Sequence, residues 1–453
     1  MKTKLILLVA LITSIATFSQ KKWTLKECVD EALKKNISIQ QNQLSVELAK
    51  KSVEIAKGNF LPNLSGNFGN SANFGLSTGV DNTRSSADRY SLSLGLNGGG
   101  TIFNGFRNTN TYKQAKLGVE TSLLDLKQIE NDISLRVVNT YLNVLFAKEN
   151  LEVAKVQAEI SKKQIEAANA RFKAGVIAKG ELLNFQSTAA NDLQNVVTQE
   201  NALDLALLNL AQLLQESVEN FDVAPIDVGS PSANLLYANS SSVFQKSLNY
   251  MPEIANAELA IENAGLNIEL AKGAFLPTLS YSFGANSFYN TVFGQPEVIT
   301  GVDNSGNPFV IDNRFANQIE NNLGYSIGVS LNVPIFNRFQ TKNRVAQSVI
   351  NREISETRLE SQKLILKQTI EQAFLDVKSS LKAFEAAKIS LEAQKEAFKN
   401  AQERYNYGAM TLFDFDLVRT RLVNAEGLMI RSKYDYVFKT KVLQFYSGEL
   451  VLE

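Results

Sequence analysis

Apolar residues recur along this chain with two different periods. In four stretches they alternate strictly with small polar residues. Leu64, Gly66, Phe68, Asn70, Ala72 and Phe74 fall on one side of the first, opposite Asn63, Ser65, Asn67, Gly69, Ser71 and Asn73. Tyr90, Leu92, Leu94 and Leu96 oppose Ser91, Ser93, Gly95 and Asn97. Leu279, Tyr281, Phe283 and Ala285 oppose Ser280, Ser282 and Gly284. In the last, Tyr325, Ile327, Val329, Leu331 and Val333 oppose Ser326, Gly328, Ser330 and Asn332. A period of two puts each set on one face of a strand. One apolar face and one small, uncharged polar face over about ten residues fits a transmembrane β-barrel. A half-buried soluble sheet alternates in a similar way.

Elsewhere the period is helical. Val377, Leu381, Phe384, Ala387, Leu391, Gln394, Phe398, Ala401 and Tyr405 step by four and three residues, as do Leu135, Val138, Leu142 and Leu145. That spacing predicts coiled-coil packing on a neighbouring helix. No proline or glycine interrupts residues 338–407, so one helix of roughly 100 Å is expected there. Gly175 and Gly408 mark its end and that of its counterpart, and a return helix of about 37 residues follows each. Leu182, Phe185, Ala189, Leu193, Val196, Leu203, Leu207 and Leu210 carry the first return helix; Leu412, Phe415, Leu422 and Ala425 carry the second. Shorter helices of about 20 residues are expected near 37–57 and 253–272. Such a set packs one long helix against two stacked ones in each half. A solvated coiled-coil rod is the alternative.

The chain is duplicated. Ala56-Lys57-Gly58-Asn59-Phe60-Leu61-Pro62 returns as Ala271-Lys272-Gly273-Ala274-Phe275-Leu276-Pro277, 215 positions later (277 − 62). Asn104 of Ile102-Phe103-Asn104-Gly105-Phe106 matches Asn337 of Ile335-Phe336-Asn337-Arg338-Phe339, and Gly175 matches Gly408, both 233 positions apart (337 − 104; 408 − 175). A unit this long is no solenoid repeat. It makes two equivalent halves: residues 20–224, with strand pair 62–97 and hairpin 105–216, and residues 241–453, with strand pair 277–334 and hairpin 338–447. Residues 225–240 link them.

Composition narrows the chemistry. There are 46 basic and 46 acidic residues among 453, so no net field selects nucleic acid. Histidine is absent and Cys28 is the sole cysteine, which removes the commonest general base and any internal disulfide. No enzyme, cofactor or structural metal is expected. Lys2 and Lys4 before an apolar run from Leu5 to Ala16 read as a signal peptide over residues 1–19. The run is too short to span a bilayer.

Export and the aromatic residues Phe68, Phe74, Tyr90, Tyr281, Phe283, Tyr289 and Tyr325, suited to interfacial girdles, favour the membrane reading of the strands. Four strands cannot close a barrel, and an open edge in lipid costs several kcal/mol per unpaired backbone group. Several copies must then share one barrel.

The chain resembles the TolC-type outer-membrane efflux proteins over essentially its whole mature length. Trp23-Thr24-Leu25-Lys26-Glu27-Cys28-Val29, the two Phe-Leu-Pro segments at 60–62 and 275–277, Val333-Pro334-Ile335-Phe336-Asn337 and the Arg-aromatic-x-x-Gly tips at 171–175 and 404–408 carry the resemblance. It implies a mainly α fold with a membrane β-barrel: four strands, two long helices and four shorter ones per chain. A homotrimer would build a 12-stranded barrel over a helical periplasmic tunnel. The role implied is an exit duct coupled through a periplasmic adaptor to an inner-membrane transporter. Arg171, Phe172, Gly175, Arg404, Tyr405 and Gly408 would meet the adaptor, unless the arginines simply cap last-turn carbonyls. Tyr405 matches a constricting tyrosine and Asp414 an acidic ring residue, although Asp414 also suits a helix first turn. The family's second aspartate falls at Leu417, beside Asp416, and its gate arginine falls at Met410. A periplasm-spanning structural or adhesive coiled-coil protein is the other reading, and an adaptor a third, which would carry a β-rich lipoyl-type domain.

Overall fold

The computed structural model describes residues 22–78, 84–86, 88–226, 237, 239–303 and 305–449. The expected signal peptide and most of the linker lie outside these residues. Helices α1 (Leu25–Lys35), α2 (Ile37–Gly58), α3 (Arg107–Lys173), α4 (Lys179–Leu214), α5 (Ser240–Leu248), α6 (Pro252–Gly273), α7 (Phe315–Asn321), α8 (Gln340–Asn406) and α9 (Leu412–Ser447) follow in chain order. The two halves match in length: α3 and α8 have 67 residues each, α4 and α9 have 36, and α2 and α6 have 22. Proline sets the boundaries. It is missing from every long helix, and Pro252 opens α6 where its absent N–H costs nothing. Among the described residues no helix is long and apolar enough to cross a membrane.

The chain divides into two compact units, each drawing on both halves. One takes residues up to Val46, Ser122–Ala257 and Arg358 onward; the other takes Glu47–Thr121 and Glu258–Thr357.

The second unit holds a four-stranded sheet of β2 (Asn63–Asn73), β5 (Arg89–Phe103), β7 (Thr278–Val292) and β10 (Gly324–Asn332). The strands lie in chain order, every neighbour antiparallel, with β2 and β10 at the edges. The register keeps the two faces apart. Phe68 opposes Leu94, Leu96 opposes Ala285, and Phe283 opposes Ile327 on one face. Asn67 opposes Gly95, Asn97 opposes Gly284, and Ser282 opposes Gly328 on the other. Asn97 Nδ2 donates across the polar face to Asn67 Oδ1 at 2.8 Å. On the apolar face Tyr281 and Phe283 stack 6.4 Å apart along β7. A Cβ on Gly98 would fall 2.5 Å from the Phe283 ring, so that aromatic covers backbone a side chain would displace. Much of the apolar face is open: Ile327 is 89%, Phe68 69% and Val329 68% exposed, whereas Leu92, opposite Tyr289, is buried.

β5 and β7 run further than their alternation predicts, β2 and β10 match theirs to within a residue at each end, and the polar loops carry elements of their own. β3 (Leu76–Thr78) pairs with β4 (Arg84–Ser86), and β8 (Val298–Val302) pairs with β9 (Pro308–Asp312) ahead of α7.

Below the sheet each half turns into its long helix by the same device. Gly105 and Phe106 take positive φ, and so do their counterparts Arg338 and Phe339. Asn104 and Asn337 reach the residue four places on, Asn108 and Thr341. Edge-on phenyl pairs, Phe103–Phe106 and Phe336–Phe339, brace the two turns. Arg338 shows that positive φ alone does not demand glycine here. Contact does: a Cβ on Gly105 would fall 2.2 Å from the carbonyl oxygen of Gly273. Gly105→Ala is therefore expected to cost about 1–3 kcal/mol through overpacking. The yield of folded, detergent-extracted protein and its melting temperature measure the loss. An undiminished yield and melting temperature would contradict it.

In the first unit the predicted seam is sequestered. Val377, Leu381, Phe384, Ala387, Ala401 and Tyr405 are buried, and Leu391, Gln394 and Phe398 are partly so. Leu193 departs from its predicted stripe, at 61% exposed, while Asp192 beside it turns inward. Two core clusters hold the unit away from the tips. One gathers Cys28, Ala32, Val137, Tyr141 and Leu210 around a two-residue parallel pair, β1 (Lys22–Trp23) with β6 (Asp222–Val223). Tyr141 Oη lies 2.7 Å from Ala224 O and 3.0 Å from Trp23 O, tying both strands to α3. Thr24 and Glu27 form a capping box that starts α1. The other cluster centres on Val243, Ile370, Val377 and Leu443.

Candidate functional site at the hairpin tips

Both hairpins turn through the same glycine geometry. Gly175 has φ 76° and Gly408 φ 71°. Gly175 N donates to Phe172 O and Val176 N to Arg171 O; Gly408 N donates to Tyr405 O and Ala409 N to Arg404 O. This is the Schellman arrangement, which satisfies carbonyls the helix end would leave bare. The return helices start differently. Thr411 Oγ1 accepts from Asp414 N at 3.2 Å and donates to Asp414 Oδ2 at 2.7 Å, whereas Ala178 offers α4 no side-chain cap.

Tyr405 sits at the centre of the site. Its ring stacks on Phe415 at 5.1 Å and meets Phe185 edge-on at 6.0 Å, within a cluster that includes Ala168, Leu182 and Ala401. Its hydroxyl donates to Glu181 Oε1 at 2.6 Å. Burial first, then Glu181, holds the phenol above its ordinary value, against the opposing charge of Arg171, so it stays protonated and donates. The Arg171 guanidinium lies 5.3 Å from the Tyr405 ring centre, a cation–π contact. Arg404 instead reaches past the end of its helix, with Nη2 3.5 Å from Ala409 O. The twin aromatics part company: Tyr405 is 9% exposed and Phe172 37%.

Further from the tips, one arginine ties three helices. Arg419 of α9, 6% exposed, donates from Nη2 to Asp192 of α4 at 2.7 Å and from Nη1 to Ser161 of α3 at 2.9 Å. Ser161 Oγ also donates to Asp192. Asp416 lies near this pair but outside its hydrogen bonds, with Oδ1 buried and unpartnered. Burial raises its carboxyl above the usual range, Asp192 adds to this, and Arg419 opposes it. While ionised, Asp416 therefore costs stability, and the cost fades as pH falls through its raised value.

The profile described as "Outer membrane efflux protein" matches residues 28–215 and 243–449. The chain belongs to the outer membrane efflux protein family. It is 26% identical over 381 residues to the pyoverdine export outer membrane protein OpmQ of Pseudomonas aeruginosa, covering 81% of this chain and 73% of that one. It is 21% identical to the outer membrane efflux protein BepC of Brucella suis, over 95% of this chain and 86% of the relative. The Campylobacter jejuni CmeC outer membrane channel has the same fold, with TM-score 0.70 at 19% identity over 95% of this chain and 86% of that one.

Among the residues expected at the tips, Arg171, Tyr405 and Gly408 belong to one neighbourhood with Phe415 and Glu181. Asp414 is exposed and engaged with Thr411, and Met410, at the family's gate-arginine position, joins the apolar cluster. Neither alternation nor helical spacing singles out Glu181, yet the duplication marks it: it lies 233 positions before Asp414 (414 − 181), six after Gly175. Arg419 and Asp192 had no such signal. Their counterparts are Gln186 and Ala425, which cannot form the pair.

Proposed function

We propose that this protein is an outer-membrane exit duct, working as a homotrimer in a tripartite efflux or type I secretion system. It conducts small molecules or polypeptides passively outward from an inner-membrane transporter, through contact with a periplasmic adaptor. The observation that carries this is the sheet. Its outer face is apolar and largely exposed, its inner face is Ser, Asn and Gly, and neither edge strand has a further partner among the described residues. Backbone groups cannot be left open in hydrocarbon, so other copies must supply the missing strands. Three copies would give twelve, enough to enclose an aqueous lumen. The small neutral lumen face suits varied cargo, in keeping with a relative named for pyoverdine export.

Deleting the gene and profiling retained compounds and polypeptides tests the role. Export is expected to fail for a defined set and to return with the wild-type copy; an unchanged profile would refute it.

The tips are proposed as adaptor contacts and as the tunnel entrance, with Tyr405, Asp414, Asp416 and Glu181 as the residues that set its closure. Charge reversal at both Arg171 and Arg404 is expected to abolish adaptor cross-linking in cells, and undiminished cross-linking would remove those contacts from the account. Three copies of Asp414 would ring the entrance and favour cations. Asp414→Asn is then expected to lower the cation preference of the pore in planar bilayers. An unchanged preference would leave Asp414 as a partner of Thr411 only.

A further inference from the structure

We propose that neighbouring copies join their sheets in one particular register, with β10 of one copy antiparallel to β2 of the next. Asn73 lies opposite Ser326, Ser71 opposite Gly328 and Asn67 opposite Asn332. The proposal rests on the homotrimeric reading and specifies its seam.

The two hairpins are in register with one another. Phe68 opposes Leu94 in the first; Phe283, 215 positions after Phe68, opposes Ile327, 233 positions after Leu94, in the second. The offsets read from sequence thus hold to the single residue in the ladder. Within the chain, the second strand of the first half pairs with the first strand of the second half, Gly95 opposite Asn286. The corresponding join beyond the chain brings the second strand of the second half to the first strand of the next copy. It gives Gly328 (95 + 233) opposite Ser71 (286 − 215).

Two features support this register over its neighbours. A slip of one residue would set each apolar face against a polar one. A slip of two would keep the faces but move the strand about 7 Å along its partner. That is too far for the junction. Within the chain the end of α6 seats on the turn below β5, Gly273 on Gly105, whereas the equivalent Gly58 at the end of α2 has open space around it. The equivalent turn below β10, at Arg338, carries bare apolar flanks in Ile335, Phe336 and Phe339. The free helix end of one copy and the free turn of the next are thus equivalent to a pair already joined. Arg338 brings a Cβ to the place of Gly105, so α2 stands roughly an ångström further from its turn than α6 does. The seam between copies is therefore looser at this junction than the seam within a chain. Residue 334, the counterpart of Thr101 where the inner seam carries a bulge, is proline, which bulges accept.

Cysteine pairs in the full-length protein test the register, since Cys28 is fully buried. Asn73→Cys with Ser326→Cys and Asn67→Cys with Asn332→Cys are the matched pairs. Exchanging partners gives Asn73→Cys with Asn332→Cys and Asn67→Cys with Ser326→Cys, about 20 Å out of register. A short bifunctional thiol reagent applied to outer membranes is expected to convert matched variants into cross-linked dimers and trimers, at least about tenfold more than exchanged ones. Equal or stronger cross-linking of the exchanged pairs would overturn the register, as would its absence from both matched pairs in protein that still sizes as a trimer. Wild-type protein sizing as a monomer would instead refute the homotrimer on which the proposal rests.

Discussion

Arg419→Ala is expected to destabilise the helical unit by about 3 kcal/mol, because it strands a charge the fold has taken out of water. Asp192 would keep its carboxylate at the junction of α3, α4 and α9 with only the Ser161 hydroxyl to satisfy it. The nearby Asp416 would lose the one charge that opposes the rise of its own carboxyl. Replacing both partners by apolar residues of similar size, Arg419→Met with Asp192→Leu, should recover most of the loss, since the charge and its desolvation leave together. Thermal unfolding of detergent-extracted protein, followed by helical circular dichroism, reads the difference. A single-variant shift worth less than about 1 kcal/mol would mean that water reaches the pair and screens it.

Tyr405→Phe is expected to unlatch the entrance. It keeps the ring on Phe415 and Phe185 and under Arg171, and removes only the hydroxyl that donates to Glu181. A hydrogen bond to a charged acceptor contributes about 1.5 kcal/mol or more. In each chain that shifts a closed-to-open ratio about tenfold towards open. Single-channel recordings should show larger or longer openings, and cells should admit large antibiotics more readily. Glu181→Gln, which leaves an acceptor for the hydroxyl, should give a smaller change in the same direction. Unaltered openings in Tyr405→Phe would make the contact packing without a gating role.

Much of the architecture was legible in the sequence because its causes are local. Strand alternation fixes which residues share a face, and the ladder put Phe68, Leu96, Phe283 and Ile327 together as the alternation requires. The uninterrupted stretch before Gly408 became one helix of 67 residues because nothing in it opposes the helix. The parallel pair at Lys22–Trp23 and Asp222–Val223 was not legible, since two residues cannot display a period. Leu193 was misplaced because a run of threes and fours drifts around a helix. Asp192 took the inner position, drawn there by an arginine more than 200 residues away in sequence. Glu181 was legible only through duplication. The contact of Arg171 with Tyr405 depends on how two hairpins meet, which no single segment encodes.

The central claim is that the outer face of the sheet meets lipid and its inner face lines a water-filled passage. Adding purified, outer-membrane-extracted protein to a planar lipid bilayer tests this most directly. The account predicts discrete, reproducible conductance steps that scale with salt concentration. A protein that leaves the bilayer electrically silent while remaining a water-soluble single chain would contradict it.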